Sequence, residues 1–207
     1  MTAVSCVAAS GPAWLSVSSV AGSVLCGWAS ISGDRRHADR WRRGADGERA
    51  TAVVLDALPA RRWAVWHDLR VPGSRANIDH VVVGRTGVWV VDTKSTRAEV
   101  RAGWRSVRFG DRRLDTGPTV WEADVVRARL ERVLGWPVPV RPVIAVHQGG
   151  RAEIGLRRRG MRVGPVRVVP ATAVGDRLTA GRRRLSRRQI PAVIEAMDDS
   201  FMPAVAR

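Results

Sequence analysis

Hydrophobic positions along the chain follow two patterns, helical spacing and short continuous β-branched runs. Apolar residues three and four positions apart predict helices over residues 44–58, 119–134 and 186–197. Pro59 marks the end of the first helix, and Ser186 is the predicted N-cap of the last. The continuous apolar runs predict strands over residues 63–69, 78–83, 88–93, 140–146 and 166–169.

Two of these strands, residues 78–83 and 88–93, are separated only by Gly84–Gly87, which is a hairpin signal. Nearly every position of both runs is apolar, so we expect the hairpin to be central and covered on both faces. A less regular, glycine-containing stretch over residues 103–117 predicts an edge hairpin. The order of elements predicts an α/β fold, with a mixed central sheet flanked by helices.

The N-terminal segment differs from the rest of the chain, because residues 1–33 carry no charged side chain. Its start lacks the basic residues of a signal peptide. Residues 13–31 approach the roughly 20 residues of a membrane span, although they include several serines and two glycines. Three interpretations stay open for residues 1–35: a disordered leader or misassigned start, a weak membrane anchor, and a packed helix. The main domain is predicted over residues 36–200, followed by a tail at 201–207.

The chain is strongly basic, with 35 lysine and arginine residues against 19 acidic ones and a net charge of +16. The electrostatic field of so positive a protein favours nucleic acid as a partner first and an anionic membrane surface second. Arginine enrichment from a GC-rich genome is the competing explanation. The candidate phosphate contacts, which could equally be solvated charge, are Arg157, Arg158, Arg159, Arg182, Arg183, Arg184, Arg187 and Arg188. Trp63, Trp66 and Trp89 could stack on bases, but their positions favour a role in the core.

Both cysteines, Cys6 and Cys26, lie in the N-terminal segment. The rest of the chain has no cysteine, which fits a cytoplasmic protein.

Chemistry-bearing residues share one face of the predicted hairpin. If Val83 faces Val88, Asp79 lies directly opposite Asp92, with Cβ atoms about 4.5–5.5 Å apart. Two facing carboxylates repel each other unless they share a proton or a cation, and their oxygens suit Mg²⁺ or Mn²⁺. Lys94, the single lysine of the chain, lies on the same face about 6–7 Å further along.

Glu48 is a further candidate ligand or base, because it shares a helical stripe with Ala52 and Leu55 that we expect to face the sheet. Each residue has a simpler interpretation when taken alone. Glu48 could interact only with the helix dipole. Asp79 could be a turn residue, and the segment Asp92–Lys94 could be a solvated strand end. The shared face of the two aspartates and the lysine is the specific signal.

Three segments, Gly44–Arg49, Ala76–Gly84 and Gly87–Lys94, resemble the nuclease-related domain family of the PD-(D/E)xK restriction-endonuclease-like superfamily. The resemblance implies an αβββαβ core. It also implies Asp79, Asp92 and the Thr93 carbonyl as metal ligands, Lys94 as the catalytic lysine and Glu48 as the acid of the first helix. His80 and Glu122 are auxiliary candidates, and Glu122 stands where many members have a glutamine.

The resulting hypothesis is a Mg²⁺-dependent (or Mn²⁺-dependent) nuclease acting on DNA rather than RNA, in repair or in defence against foreign DNA. Two alternatives stay open. One is a non-catalytic module that binds nucleic acid or a partner through the same fold. The other is a membrane-tethered regulator that depends on residues 13–31. Three further points are also open: the final choice between DNA and RNA, endo- or exonucleolytic action, and whether a homodimer is needed for double-strand cuts.

Overall fold

The computed structural model describes residues 42–148 and 155–204. The predicted leader and the candidate span at residues 13–31 lie outside the described residues. Within these two ranges, no helix has both the length and the apolar character needed to cross a bilayer.

The described chain contains four α-helices and ten strands. The helices are α1 over residues 42–56, α2 at Gly117–Leu134, α3 at Val174–Thr179 and α4 at Gln189–Ser200. The first six strands are β1 at Trp63–Arg70, β2 at Asn77–Gly84, β3 at Gly87–Thr96, β4 at Val100–Ala102, β5 at Val107–Phe109 and β6 at Arg112–Arg113. The last four are β7 at Val140–Gln148, β8 at Met161–Val163, β9 at Val166–Pro170 and β10 at Met202–Pro203. A 3₁₀ turn at Ala171–Ala173 precedes α3.

Seven strands form one mixed sheet in the order β10-β1-β2-β3-β7-β9-β8. Strand β2 is antiparallel to both of its neighbours, β1 and β3, whereas β3, β7 and β9 run parallel to one another. The predicted edge hairpin is instead a separate three-stranded sheet of β4, β5 and β6. The predicted α/β class, with a restriction-endonuclease-like αβββαβ core, is therefore confirmed.

The predicted register of the central hairpin is confirmed over five residue pairs, from Gly84↔Gly87 to His80↔Val91. Pairing with β2 stops at that point, although β3 continues along β7 as far as Thr96↔Gln148. The two central strands therefore separate just where Asp79 and Asp92 lie.

Alternate residues of the hairpin enter two different cores, as its apolar pattern predicts. Val81, Val83 and Val90 pack with residues of α2 and α4 on one face. Val82 and Trp89 pack with residues of α1 and α3 on the other. Because both faces are covered, a one-residue slip of register would exchange the two cores, and this fixes the positions of the polar residues at the strand ends.

Helix α1 buries a stripe that is one residue away from the predicted one. Gly47, Thr51 and Leu55 are buried, whereas Glu48 is exposed. The reason is close packing, because a Cβ on Gly47 would lie only 1.8 Å from Ser95 Oγ. The glycine lets α1 approach the end of β3, and Glu48 is consequently turned toward the rim.

The ends of the chain's last helix also differ from the prediction. Helix α4 begins at Gln189, three residues after Ser186. Ser186 nevertheless caps this turn, since its Oγ accepts the Gln189 N–H at 3.3 Å and its own N–H donates to Gln189 Oε1 at 2.9 Å. The predicted tail contributes Phe201 to the core and adds β10 to the edge of β1.

Candidate active site

Asp79 bridges the gap between the two separating strands. Its Oδ2 accepts the main-chain N–H of Thr93 over 2.7 Å, so a side chain replaces the missing ladder bond. The other oxygen of Asp79 has no hydrogen bond among the described residues. Burial, followed by the charge of Asp92, raises the pKa of Asp79 to about 7, even though the Thr93 bond acts in the opposite direction.

Asp92 is almost completely buried and has a partner on each oxygen. Its Oδ1 accepts from Lys94 Nζ over 2.7 Å, and its Oδ2 accepts from the Thr119 hydroxyl over 2.6 Å. Thr119 lies in the first turn of α2, which packs on the face of the sheet that carries Asp92. Helix α2 and strand β3 therefore hold this carboxylate from two directions.

Lys94 is half-exposed and keeps its charge. Burial acts to lower the pKa of Lys94, but the Asp92 carboxylate, helped by Asp79, outweighs burial and the net pKa is raised. A permanently charged ammonium is a hydrogen-bond donor and not a proton acceptor. Lys94 can thus hold a water or a phosphate oxygen, whereas proton uptake has to come from a neighbouring group.

Glu122 lies one turn after Thr119, and the structure brings it into the carboxylate cluster. Burial, followed by the charges of Asp92 and Asp79, raises the pKa of Glu122 to about 8. Its Oε2 is buried without a hydrogen-bond partner. Three carboxylates therefore share one positive side chain, that of Lys94, and this leaves room for a further positive charge.

Glu48 stands at the rim of the cluster. Its pKa is raised by burial and by the charges of Asp68 and Asp92, and lowered less strongly by Lys94. Asp68 lies on β1 opposite Asp79, where pairing between β1 and β2 skips one residue pair. Its φ of 48° is the left-handed conformation that aspartate tolerates better than most residues, and its Oδ1 accepts from Asn77 Nδ2 over 2.9 Å.

His80 faces the other side of the sheet, away from the carboxylates. Its Nδ1 lies 2.8 Å from Nδ1 of His67, whose Nε2 lies 2.9 Å from Asp56 Oδ1. The Nε2 of His80 lies 3.4 Å from the Thr93 hydroxyl. Burial, followed by the charge of His67, lowers the pKa of His80 to about 3, so the ring is neutral. His80 therefore lies beside the Thr93 side chain on the opposite face of the sheet and takes no part in the carboxylate cluster.

The donor set fits a hard divalent cation in its chemistry. All the candidate ligand atoms are oxygens, and Glu122 contributes a buried oxygen without a partner. In the described part of the chain, no group of three or more histidine, cysteine, aspartate or glutamate side chains is arranged to hold a metal ion. The predicted set does not require three such side chains, since it joins Asp79 and Asp92 to the Thr93 carbonyl.

The structure does not bring all of the candidate phosphate contacts to this cluster. Residues 157–159 are exposed and precede β8, at the same end of the sheet as Lys94 but three strands away. Arg158 pairs weakly with Asp176 at 3.6 Å. Residues 182–188 lie at the opposite end, because the N–H groups of Arg184 and Leu185 donate to the Arg85 carbonyl in the β2–β3 turn. Six residues of strand separate that turn from Asp79, about 20 Å.

Two residues near the carboxylates were missed by sequence reasoning. Thr119 had a usable signal, because it shares a helical stripe with Glu122, Ala123 and Val126 on the buried side of α2. Asp68 had none, since its position depends on the residue pair that β1 and β2 skip.

Comparison with known proteins gives one family and one relative. The nuclease-related domain family matches residues 43–147. An uncharacterized protein of Bacillus anthracis is 30% identical over 78 residues, which is 36% of this chain and 36% of that protein. The chain thus spans little more than a third of this relative's length. No solved structure matches the chain significantly.

Proposed function

The chain belongs to the nuclease-related domain family, and on that premise we propose that it is a Mg²⁺-dependent nuclease that hydrolyses phosphodiester bonds, with DNA preferred over RNA. The observation that carries the proposal is the convergence of Asp79, Asp92, Lys94 and Glu122 where β2 and β3 separate. Paired carboxylates with a charged lysine are the groups that phosphodiester hydrolysis requires.

Each residue has a distinct part in this proposal. Asp79 and Asp92, with the Thr93 carbonyl, would hold Mg²⁺ or Mn²⁺, which supplies charge neutralisation and an acidified water when bound. Lys94 would donate a hydrogen bond to a phosphate oxygen or orient the attacking water. Its raised pKa supports a charged donor role. Glu48 and Glu122 flank this set, and either could complete the ligand shell or accept a proton from water.

The basic surface supports a polyanionic substrate. Arg157, Arg158 and Arg159 lie at the carboxylate end of the sheet and are exposed, so they could contact phosphates that flank the cleaved bond. We propose that the protein acts on DNA in the cytoplasm, in repair or defence, and that a homodimer would serve double-strand cuts. A membrane association through residues 13–31 stays a separate proposal.

A non-catalytic nucleic-acid-binding module is the second candidate function. One observation favours it: both oxygens of Asp92 already accept hydrogen bonds, from Lys94 and from Thr119. A cluster whose hydrogen bonds are already formed within the protein could serve only to stabilise the fold, while the basic surface binds nucleic acid.

The test is cleavage of supercoiled DNA, linear DNA, single-stranded DNA and RNA in Mg²⁺, Mn²⁺ or EDTA. We expect cleavage that needs a divalent ion and falls at least about 100-fold in Lys94→Ala and in Asp92→Asn. Matched controls are Arg132→Ala and Asp199→Asn, which change exposed residues of α2 and α4.

The outcome also separates the two candidate functions. If the wild-type protein cuts nothing yet binds DNA in a salt-dependent manner, the binding module is the better account. Equal cleavage by the wild type and both site variants would point to a contaminating nuclease and overturn the assignment of these residues.

A further inference from the structure

A second feature lies at the far end of the sheet from the carboxylates. A cavity of about 710 Å³ opens beside the β2–β3 turn, and five arginines line it: Arg61, Arg62, Arg85, Arg183 and Arg187. This volume is in the range of small-molecule sites. About 20 Å of strand separates the turn from Asp79, so the cavity is not an extension of the carboxylate cluster.

The positive charge of the cavity is not balanced by the protein. No acidic residue lines it, and within the described residues none of its five arginines takes part in an ion pair. The Nε of Arg85 is buried without a hydrogen-bond partner. Burial, together with the charges of Arg183 and Arg187, lowers the pKa of Arg85. Guanidinium groups gathered in this way repel one another until an anion enters.

Main-chain hydrogen bonds bring together the segments that carry Arg85, Arg183 and Arg187 before any ligand binds. The Arg85 carbonyl accepts the N–H of Arg184 at 2.7 Å and that of Leu185 at 3.2 Å. These two bonds fasten the loop before α4 to the hairpin turn, so Arg183 and Arg187 flank Arg85. The first turn of α4 contains no acidic residue, and its N-terminus adds to the positive potential.

The remaining wall of the cavity is apolar. Trp63, Ile190 and Ile194 contribute to it. Trp89 is buried as predicted, but Trp63 is only half-buried. Its ring lies against Gly84, where a Cβ would come within 2.3 Å of Trp63 Cε3. An arginine cluster beside a fixed aromatic wall suits a ligand that joins several negative charges to a planar group.

We propose that this cavity binds a nucleotide through its terminal phosphates, with the base against the Trp63 wall. Five guanidiniums match a phosphate monoester or polyphosphate better than the single charge of an internal phosphodiester. The same chemistry occurs in a free nucleotide and in the 5′-phosphorylated end of a nucleic-acid strand. The inference does not depend on the carboxylate cluster or on nuclease activity.

Isothermal titration of the full chain in EDTA tests the proposal, with ATP, AMP, inorganic phosphate and adenosine as separate ligands. We expect ATP to bind at least about tenfold more tightly than phosphate or adenosine. A short oligonucleotide with and without a 5′-phosphate distinguishes the two sources. A gain in affinity from the 5′-phosphate of the oligonucleotide would identify a strand end, whereas equal binding of the two oligonucleotides together with tight ATP binding would identify a free nucleotide.

Two variants connect the binding to this cavity. The double variant Arg85→Gln with Arg187→Gln should weaken ATP binding at least about tenfold. Its control, Arg112→Gln with Arg113→Gln, removes the same charge from exposed positions on β6. Trp63→Leu should weaken ATP binding more than phosphate binding. Circular dichroism checks that each variant is folded.

Three results would overturn the proposal. The first is the absence of ATP binding by the folded wild-type protein. The second is an equal loss of affinity in the cavity variant and in the β6 variant, which would mean attraction by net charge alone. The third is equal affinity for phosphate and ATP, which would mean that the apolar wall does not contribute to binding.

Discussion

Thr119 donates its hydroxyl hydrogen to Asp92 Oδ2 over 2.6 Å, across 27 positions of sequence. The bond joins the first turn of α2 to the end of β3, and Lys94 takes the other oxygen of the same carboxylate. Thr119 is fully buried, so water cannot replace its hydroxyl easily. The orientation of Asp92 thus depends on a helix that no local sequence pattern connects to it.

Replacing Thr119 should therefore impair the carboxylate cluster without removing any of its charges. We expect Thr119→Val to weaken Mn²⁺ binding about 10- to 100-fold, the usual effect of losing a partner that orients a metal ligand. Thr119→Ser keeps the hydroxyl and should retain most of the affinity. Mn²⁺ titration followed by electron paramagnetic resonance measures both. Equal affinity in all three proteins would mean that the Thr119 bond is dispensable.

The stability of the metal-free protein should fall as pH rises from about 4 to 8. The folded-state pKa is about 7 for Asp79 and about 8 for Glu122, above the ordinary values of 3.8 and 4.5. The folded protein thus keeps protons that the unfolded chain has lost, and the stability present at low pH is lost through this window. We expect the melting temperature to drop by about 5 °C or more between pH 5 and pH 8.

Variants and metal ions provide the checks on this pH dependence. Asp79→Asn and Glu122→Gln should each flatten the fall in melting temperature. Mg²⁺ or Mn²⁺ should stabilise the protein more at pH 8 than at pH 5, because protons compete with the metal for the carboxylates. A melting temperature that rises steadily from pH 5 to pH 8 without metal would contradict the raised pKa values.

His80 should oppose this pH trend, because its protonation disfavours the folded protein. Its folded-state pKa of about 3 lies below the ordinary 6.5, so the unfolded chain binds a proton that the folded protein excludes. The stability from His80 is present above pH 6.5 and is lost as pH falls toward 3. We expect the stability of the wild type relative to His80→Gln to decrease between pH 6.5 and pH 4, as measured by urea unfolding. Parallel pH profiles for the two proteins would argue against a buried neutral ring.

Gly84 should not tolerate a methyl group. A Cβ at this position would lie 2.3 Å from Trp63 Cε3, in a rigid ring that cannot move as a flexible side chain could. We expect Gly84→Ala to reduce the free energy of unfolding by about 1–3 kcal/mol, although alanine would otherwise favour a strand over glycine. Trp63→Leu should remove most of this penalty when the two changes are combined. Additive effects in the urea unfolding of the double variant would show that the two residues do not conflict.

Local sequence determined the central hairpin and the face on which its polar residues lie. Two β-branched runs around Gly84–Gly87 leave one register that buries both faces, and the structure has that register over all five pairs. Strand periodicity alone therefore assigned Asp79, Asp92 and Lys94 to one face. It could not reveal that the β2–β3 ladder ends at His80↔Val91 while β3 continues along β7, since the extent of pairing between strands is a long-range property.

Only the tertiary structure decided which other residues approach the carboxylates. Helical spacing suggested that Glu48 faces the sheet, but the close contact of Gly47 with Ser95 turned the helix and moved Glu48 to the rim. Thr119 and Glu122 reach Asp92 because α2 packs across β3, a long-range contact that residue spacing cannot encode. Likewise, the arginines at the hairpin turn come from segments about 100 residues apart and meet through the Arg85 carbonyl. Periodicity fixes which face of its own element a side chain occupies, whereas packing between elements fixes its neighbours.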